Sequence, residues 1–188
     1  MISEFLIKLL GEKAELSSGF VESLEAALRQ EFYKPHQIIE AAGNIENRLF
    51  YIEYGFARHY FYDQLGEEHT VRFWEPGSII FSYEGYYRVS SYFYLEIMAE
   101  SKFSSLSYDK LNELERTFPE TRLLIRHFLL EFQKQDFEKQ QLVSLPPEER
   151  FRYLRKNKNY LFSKLNSKII ASYLQLSRKS LSRYMSKR

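Results

Sequence analysis

The stretch LNSKIIASYLQLSRKSLSRYMSKR, residues 165–188, decides the reading of this chain. Ile169, Ile170, Tyr173 and Leu174 repeat at helical spacing, and Leu181, Tyr184 and Met185 do so again after the polar break Gln175-Leu176-Ser177. The pattern predicts two short helices joined by a tight turn, a helix-turn-helix. Ser177 stands just before the second helix, where its hydroxyl accepts a backbone N–H that would otherwise lack a partner. Arg178, Lys179 and Ser180 fill the first turn of that helix. Cations there are opposed by the helix dipole, so two of them need a reason outside the helix. The first residues of a DNA-reading helix reach base edges in the major groove, where Arg pairs in bidentate fashion with guanine. Ser177, Arg178, Lys179, Ser180, Arg183 and Lys187 are therefore the candidate DNA-contacting residues. A bihelical cap with a solvated basic face has the same local pattern, and the surrounding sequence must decide between the two.

Charge is the first arbiter. From Pro146 onward there are 12 Lys plus Arg against 2 Glu, while the whole chain holds 27 and 25, which leaves residues 1–145 with 15 against 23. The net charge of +2 thus conceals a basic C-terminal segment and an acidic remainder. That segregation is the electrostatic footprint of a phosphate-backbone binder. Phe151, Leu154, Leu161 and Leu165 interleave with the cations, so the basic segment is expected to fold rather than trail as a solvated tail. Pro146-Pro147, followed by Glu148 and Glu149, reads as a boundary that starts a new helix.

Upstream of that boundary nothing breaks a helix between about Pro119 and Val143. Ile125, Phe128, Phe132, Gln135, Lys139 and Leu142 fall on one line of it. Ile125, Phe128, Phe132 and Gln135 are the candidate dimer seam. A helix stripe packed on its own domain looks the same, and periodicity leaves both readings open. Further back, residues 37–40, 48–53, 56–63, 69–73, 78–81, 92–99 and 103–107 read as short strands divided by turn signals such as Ala42-Gly43-Asn44 and Pro76-Gly77. Their spacing suits an antiparallel sandwich or jelly roll more than a parallel sheet. A short helix near residues 5–10 and a second one capped by Ser17 or Ser18 precede them, and Ser107 caps a helix that ends at Phe118-Pro119.

With 188 residues and 44% hydrophobic content the chain holds a real core. Its sequence has no Cys, which removes disulfides, thiolate metal sites and Cys nucleophiles. No apolar run approaches the roughly 20 residues of a membrane span, and the start does not read as a secretory signal, so the expected location is cytoplasmic.

Taken together, the order of parts resembles the Crp/Fnr family of bacterial transcription regulators. The resemblance runs through IIEAAGNIENRLFYIEYGFARHYFYDQLGEEHTVRFWEPGS in the roll, FPETRLLIRHFLLEFQ in the long helix, LPPEERFRYL after the Pro pair and IIASYLQLSRKSLSRY at the end. It implies an α+β architecture. An antiparallel β-roll resembling the cyclic-nucleotide-binding domain would occupy residues 1–117, a dimerisation helix 118–145 and an all-α helix-turn-helix domain 146–188. It also implies a homodimer that binds double-stranded DNA, no catalytic role, no cofactor, and a possible small-molecule effector. Ile170, Leu174, Leu176, Leu181 and Tyr184 would be the packing positions of the motif. Gln175 stands where the family more often has Gly.

Two departures matter. Members that bind cyclic AMP carry a Gly-Glu pair for the ribose and an Arg-Ser pair for the phosphate, where this chain has Phe81-Ser82 and Ser91-Tyr92. A half-buried phosphate needs a fixed cation or several N–H donors, so cyclic AMP is not expected to bind in the usual way. Relatives also continue into a β-hairpin wing, absent from this sequence, so DNA affinity is expected to be lower and less steep in salt.

The Tyr-rich stretch FSYEGYYRVSSYFY, residues 81–94, has two readings: an effector pocket, or a core whose hydroxyls reach water. For the pocket the candidate lining is Arg72, Phe81, Ser82, Tyr83, Arg88, Ser91 and Tyr92. His36, His59, His69 and His127 lack the paired spacing of a metal-dependent cupin, and no metal site is expected. Two other classes remain: a ligand-sensing or protein-interaction module without specific DNA binding, and a cupin-like enzyme.

Overall fold

Residues 48–54 show how the roll forms. Leu49 and Tyr51 face one way and Phe50 and Ile52 the other, and both sides of the strand find apolar cover. The structure, a computed structural model, describes residues 4–186. Two helices come first, α1 (Glu4–Gly11) and α2 (Ser18–Ala27). The strands are β1 (Arg29–Tyr33), β2 (Ile38–Glu40), β3 (Arg48–Tyr54), β4 (Ala57–Tyr62), β5 (Glu68–Trp74), β6 (Ile79–Ile80), β7 (Tyr94–Ile97) and β8 (Ser101–Ser107), with a short α3 (Tyr83–Tyr86) between β6 and β7. After them run α4 (Tyr108–Thr117), α5 (Pro119–Ser144), α6 (Pro147–Asn157), α7 (Leu161–Lys164), α8 (Ser167–Leu174) and α9 (Arg178–Ser186).

The strands form two four-stranded sheets, ordered β1-β8-β3-β6 and β2-β7-β4-β5. The pairs β1–β8, β3–β8, β3–β6 and β2–β7 are antiparallel, with Phe50 opposite Ser105 and Ile52 opposite Phe103. The β3–β4 corner requires Gly55. Its φ is +112°, and a Cβ there would lie 2.6 Å from the Ser101 Cα. Each expected strand is present, displaced at its ends by up to two residues. The sequence reading missed β1, α3 and α7, all of them short segments with too little repetition to register as periodic.

Cα packing divides the chain into two compact units, residues 1–59 with 73–133 and residues 60–72 with 134–188. The bounds expected at 117/118 and 145/146 differ from these, because α5 contributes its first half to one unit and its second half to the other, and the tip of the β4–β5 hairpin goes with the second. In the first unit, Phe50, Ile52, Trp74, Ile80, Leu95, Ile97 and Phe103 fill the space between the sheets. The outer face of the β1-β8-β3-β6 sheet is covered by α1, α2, α4 and the start of α5 through Leu6, Leu10, Phe20, Leu24, Leu111, Leu114, Leu124 and Ile125. Ser17 caps α2 by accepting the Phe20 N–H at 3.2 Å, and its own N–H and hydroxyl donate to Glu120 Oε1 at 3.1 and 2.6 Å. Those bonds hold the Glu120 carboxyl below its ordinary pKa.

This packing corrects the expected dimer seam. Ile125 is buried in the core and is not free to meet a second copy, and Phe128 is half-buried with one side packed against that core. Phe132 is half-buried, and the Gln135 Oε1 is buried without a hydrogen-bond partner. The stripe faces its own unit because four-residue spacing on a straight helix serves a sheet as well as a helix.

Thr121 lines a void of about 50 Å³ beneath α1 and α2, and its Oγ1 is fully buried with no partner. Removing an unpaired buried hydroxyl without changing shape removes its desolvation cost. Thr121→Val should therefore raise the unfolding free energy by about 1 kcal/mol, read as a shift of the urea midpoint at unchanged slope.

Candidate nucleic-acid interface

Helices α6 to α9 are built on an apolar floor. Leu154 of α6, Leu161 of α7, Ile169, Ile170 and Leu174 of α8, and Leu181 and Tyr184 of α9 are all buried, and Phe151 sets its ring 5.9 Å from Tyr184. Asn166 caps α8 by accepting the Ile169 N–H at 3.0 Å. The helix closes at Gln175, which takes a left-handed conformation (φ 50°, ψ 51°), while the Leu176 N–H reaches back to the Ala171 carbonyl at 2.9 Å. Arg150, which the sequence did not single out, completes that end. Its Nη1 donates to the carbonyls of Leu174 and Gln175 at 3.1 and 3.2 Å, and its Nε to that of Leu145 at 2.7 Å.

Ser177 then starts α9 as anticipated, with its hydroxyl accepting the Ser180 N–H at 3.1 Å and donating to the Ser180 Oγ at 3.0 Å. With Leu181 and Tyr184 turned inward, Arg178, Lys179, Ser182 and Arg183 face solvent, and Ser180 is half-buried. Arg183 leans over the Tyr184 ring, 5.2 Å from its centroid. Among the described residues no carboxylate pairs with Arg178, Lys179 or Arg183. Lys187 lies outside the described residues.

The seven residues expected to line an effector pocket do not come together. Arg72 belongs to the second unit and pairs with Asp136 of α5. In the first unit, Arg88 pairs with Asp109 at the surface, and Tyr83 and Tyr92 are exposed. Phe81 is core, its ring 5.6 Å from Tyr108 and 6.1 Å from Phe128. Ser82 caps α3 through the Gly85 N–H at 3.0 Å, and Ser91 is buried with its hydroxyl on the backbone of Phe93. Around them sit two buried carboxylates that the sequence reading passed over. Glu84 accepts from the Ser82 hydroxyl at 3.2 Å, and Glu40 lies 3.4 Å from His59 Nε2. Burial alone would raise the Glu40 carboxyl, but His59 and Ser91 beside it bring it below its ordinary pKa. Trp74 Nε1 donates to His59 Nδ1 at 3.2 Å, which leaves the ring proton on Nε2, toward Glu40. The His59 ring stacks on Phe93 and meets Trp74 edge-on, so these three rings occupy space between the sheets. The other histidines are apart: His36 stands by Glu96, His69 bonds Asp63 at 2.7 Å, and His127 lies against Phe128.

No protein-family model and no curated protein sequence matches this chain. Solved structures do. FixK2 from Bradyrhizobium japonicum has a TM-score of 0.75 at 15% identity over 85% of this chain and 83% of that one. CLP from Xanthomonas campestris, described as a c-di-GMP responsive global regulator, scores 0.71 at 16% identity over 91% of both chains. A putative Crp/Fnr-family transcriptional regulator from Eubacterium rectale scores 0.75 at 14% identity over 91% and 82%. The fold is that of the Crp/Fnr regulators. No helix among the described residues is long and apolar enough to cross a membrane.

Two outcomes follow from the geometry of the second unit. A non-Gly residue in the left-handed region costs about 1 kcal/mol, so Gln175→Gly should raise stability by about that amount in a thermal melt, with α8 and α9 intact by circular dichroism. Lys139 of α5 donates to the carbonyls of Tyr173 and Thr70 and lies 3.6 Å from the Tyr173 ring centroid. Burial, reinforced by Arg150, pushes its pKa from 10.5 down to about 7. Between pH 7 and 10 the unfolded chain holds that proton and the folded chain does not, so stability attributable to this group rises with pH. The stability difference between Lys139→Met and the parent should therefore move in the parent's favour from pH 7 to 9.5. A difference independent of pH would contradict the shifted ammonium.

Proposed function

We propose that this chain is a DNA-binding transcription regulator of Crp/Fnr type, acting as a homodimer on a palindromic operator. The observation that carries the reading is the solvent face of α9, where Arg178, Lys179 and Arg183 project with no carboxylate pairing them among the described residues. An isolated basic face at the start of a helix, capped by Ser177 and set on an apolar floor, is arranged to present guanidinium groups to base edges. α8 serves as the supporting helix, and residues 146–186 act as the helix-turn-helix domain.

The dimer contact is assigned to the exposed side of α5. Leu123 and Leu130, seven residues apart in the first unit, are 52% and 65% exposed, and Phe137, seven further along the helix, is 58% exposed. A heptad line of uncovered apolar side chains suits a parallel helix from a second copy. Two recognition helices held by that pair would meet half-sites about 34 Å apart. Neither Phe81-Ser82 nor Ser91-Tyr92 supplies a fixed cation for a cyclic phosphate, so cyclic AMP is not the effector in this reading.

Selection from a library of randomised duplexes at two salt concentrations tests this directly. The expected result is a retained palindrome with half-sites one helical turn apart, whose affinity falls as salt rises. Arg178→Ala should reduce discrimination at one base position by about 1–3 kcal/mol. Retention without sequence preference would instead favour a sensing or interaction module, and bound cyclic AMP at micromolar concentration in calorimetry would overturn the effector assignment.

A further inference from the structure

The second unit contains an arrangement that the DNA-reading surface does not use. β5 is the end strand of its sheet, so the backbone groups on its outer side have no strand to pair with. Within residues 68–70 those groups are nevertheless taken. Ser172 of α8 accepts the Thr70 N–H at 2.7 Å and donates to the Glu68 carbonyl at 2.7 Å, with the Thr70 hydroxyl 3.3 Å away. The Thr70 carbonyl, on the same side of the strand, is 3.4 Å from Lys139 Nζ, which also reaches the Tyr173 carbonyl. A single serine hydroxyl thus does for this strand edge what a neighbouring strand would do, and a lysine takes the next group along. Lys168, 3.7 Å from Glu68, adds a peripheral ion pair.

We infer that Ser172 is a positioning residue: it braces α8, and with it the reading helix α9, against the β4–β5 hairpin tip, so that hairpin and reading helices form one mechanical body. The brace leaves the reading face open, because Arg178, Lys179 and Arg183 are exposed while the Ser172 bonds are made. It is therefore an orienting device rather than an inhibitory contact. Both units share strands β4 and β5, divided at residues 59/60 and 72/73, so a change in the roll that moves the hairpin moves the reading helices with it. Edge contacts of this kind are local and few, and losing the Ser172 hydroxyl removes two of the bonds that join the two parts. The consequence for DNA rests on the regulator reading given above, whereas the brace itself does not.

The test uses the full chain and the variants Ser172→Ala and Ser172→Thr, followed by amide hydrogen exchange resolved at Thr70 and by binding to the selected duplex. Ala keeps α8 helical and removes both bonds. Thr70 exchange should accelerate at least about tenfold in Ser172→Ala, because its N–H loses the Ser172 acceptor at a strand edge. DNA affinity should fall about fivefold with the salt slope unchanged, since no cation has been lost. Ser172→Thr, which keeps the hydroxyl, should restore both readings. Unchanged Thr70 exchange in Ser172→Ala would overturn the brace, and faster exchange with parental DNA affinity would overturn its positioning role. A parent that protects Thr70 but selects no duplex would sink the DNA assignment alone and leave the brace supported.

Discussion

Buried backbone N–H and C=O groups must find partners, and in each unit a side-chain hydroxyl meets that demand where regular pairing stops. In the first unit the Tyr108 hydroxyl accepts the Ser82 N–H at 2.8 Å and donates to the Ser82 carbonyl at 2.9 Å. In the second, Ser172 does the same for Thr70 and Glu68. Both hydroxyls present one donor and one acceptor to backbone groups beyond the reach of strand pairing. The Tyr108 ring is fully buried and touches Phe81 and Tyr86, so the chain after Pro76-Gly77 is pinned from beneath by an aromatic core as well as by hydrogen bonds. Burial raises the Tyr108 phenol well above its ordinary pKa, which keeps it a donor across the range in which the protein is folded. A loop held this way has little freedom to close over a ligand, and α3 with its Ser82 cap is the rigid outcome.

The electrostatics of the two units are opposite in kind. In the roll, several charges are part-buried and paired: Arg58 donates twice to Glu96 at 2.8 and 2.6 Å, and Lys102 meets Glu53 at 2.6 Å. Pairs of that sort give no net attraction to an approaching anion, and the buried Glu40 and Glu84 repel one. On α9 the cations are exposed and lack acidic neighbours, so their field reaches into solvent until counterions screen it, over about 8–10 Å. A surface of that kind attracts a polyanion from either direction of approach, and the solvated basic face that competes with it as a reading would have the same field. What separates the two is the Ser177 cap, which places Arg178 and Lys179 in the first turn, where the helix dipole disfavours them.

Much of this architecture was legible in the sequence because long, periodic segments speak clearly. The α8–turn–α9 segment, the 26-residue α5 and the Ser caps at Ser17, Ser107 and Ser177 each combined a repeating apolar pattern with a stop or start signal. The effector pocket was not legible. Six of the seven candidate residues come from one Tyr-rich stretch, with Arg72 beside them as an orienting charge, and the fold sends Arg72 to Asp136, Arg88 to Asp109 and Phe81 to the core. Ion-pair choice depends on which helix passes nearby, and short-range sequence carries no information about that. Glu40 and Glu84 escaped notice for the same reason: an acidic residue in a short strand or turn reads as solvated until its neighbours bury it.

The second half of the misreading lies in α5, and it follows from helix geometry. A helix with 3.6 residues per turn carries an i, i+3, i+7 line around its axis by about 20° per heptad, so a line that begins against the sheet at Leu124 and Ile125 cannot also remain the seam further along. The core takes the denser apolar line because burial against a sheet yields more contact per side chain than a two-helix seam. What is left over is sparser, Leu123 and Leu130 in the first unit and Phe137 in the second, with Arg126 and Lys134 exposed between them. That residue is the pattern expected of a helix with two obligations. Its apolar content is divided between a core and an uncovered line, the line to which the proposed dimer contact is assigned.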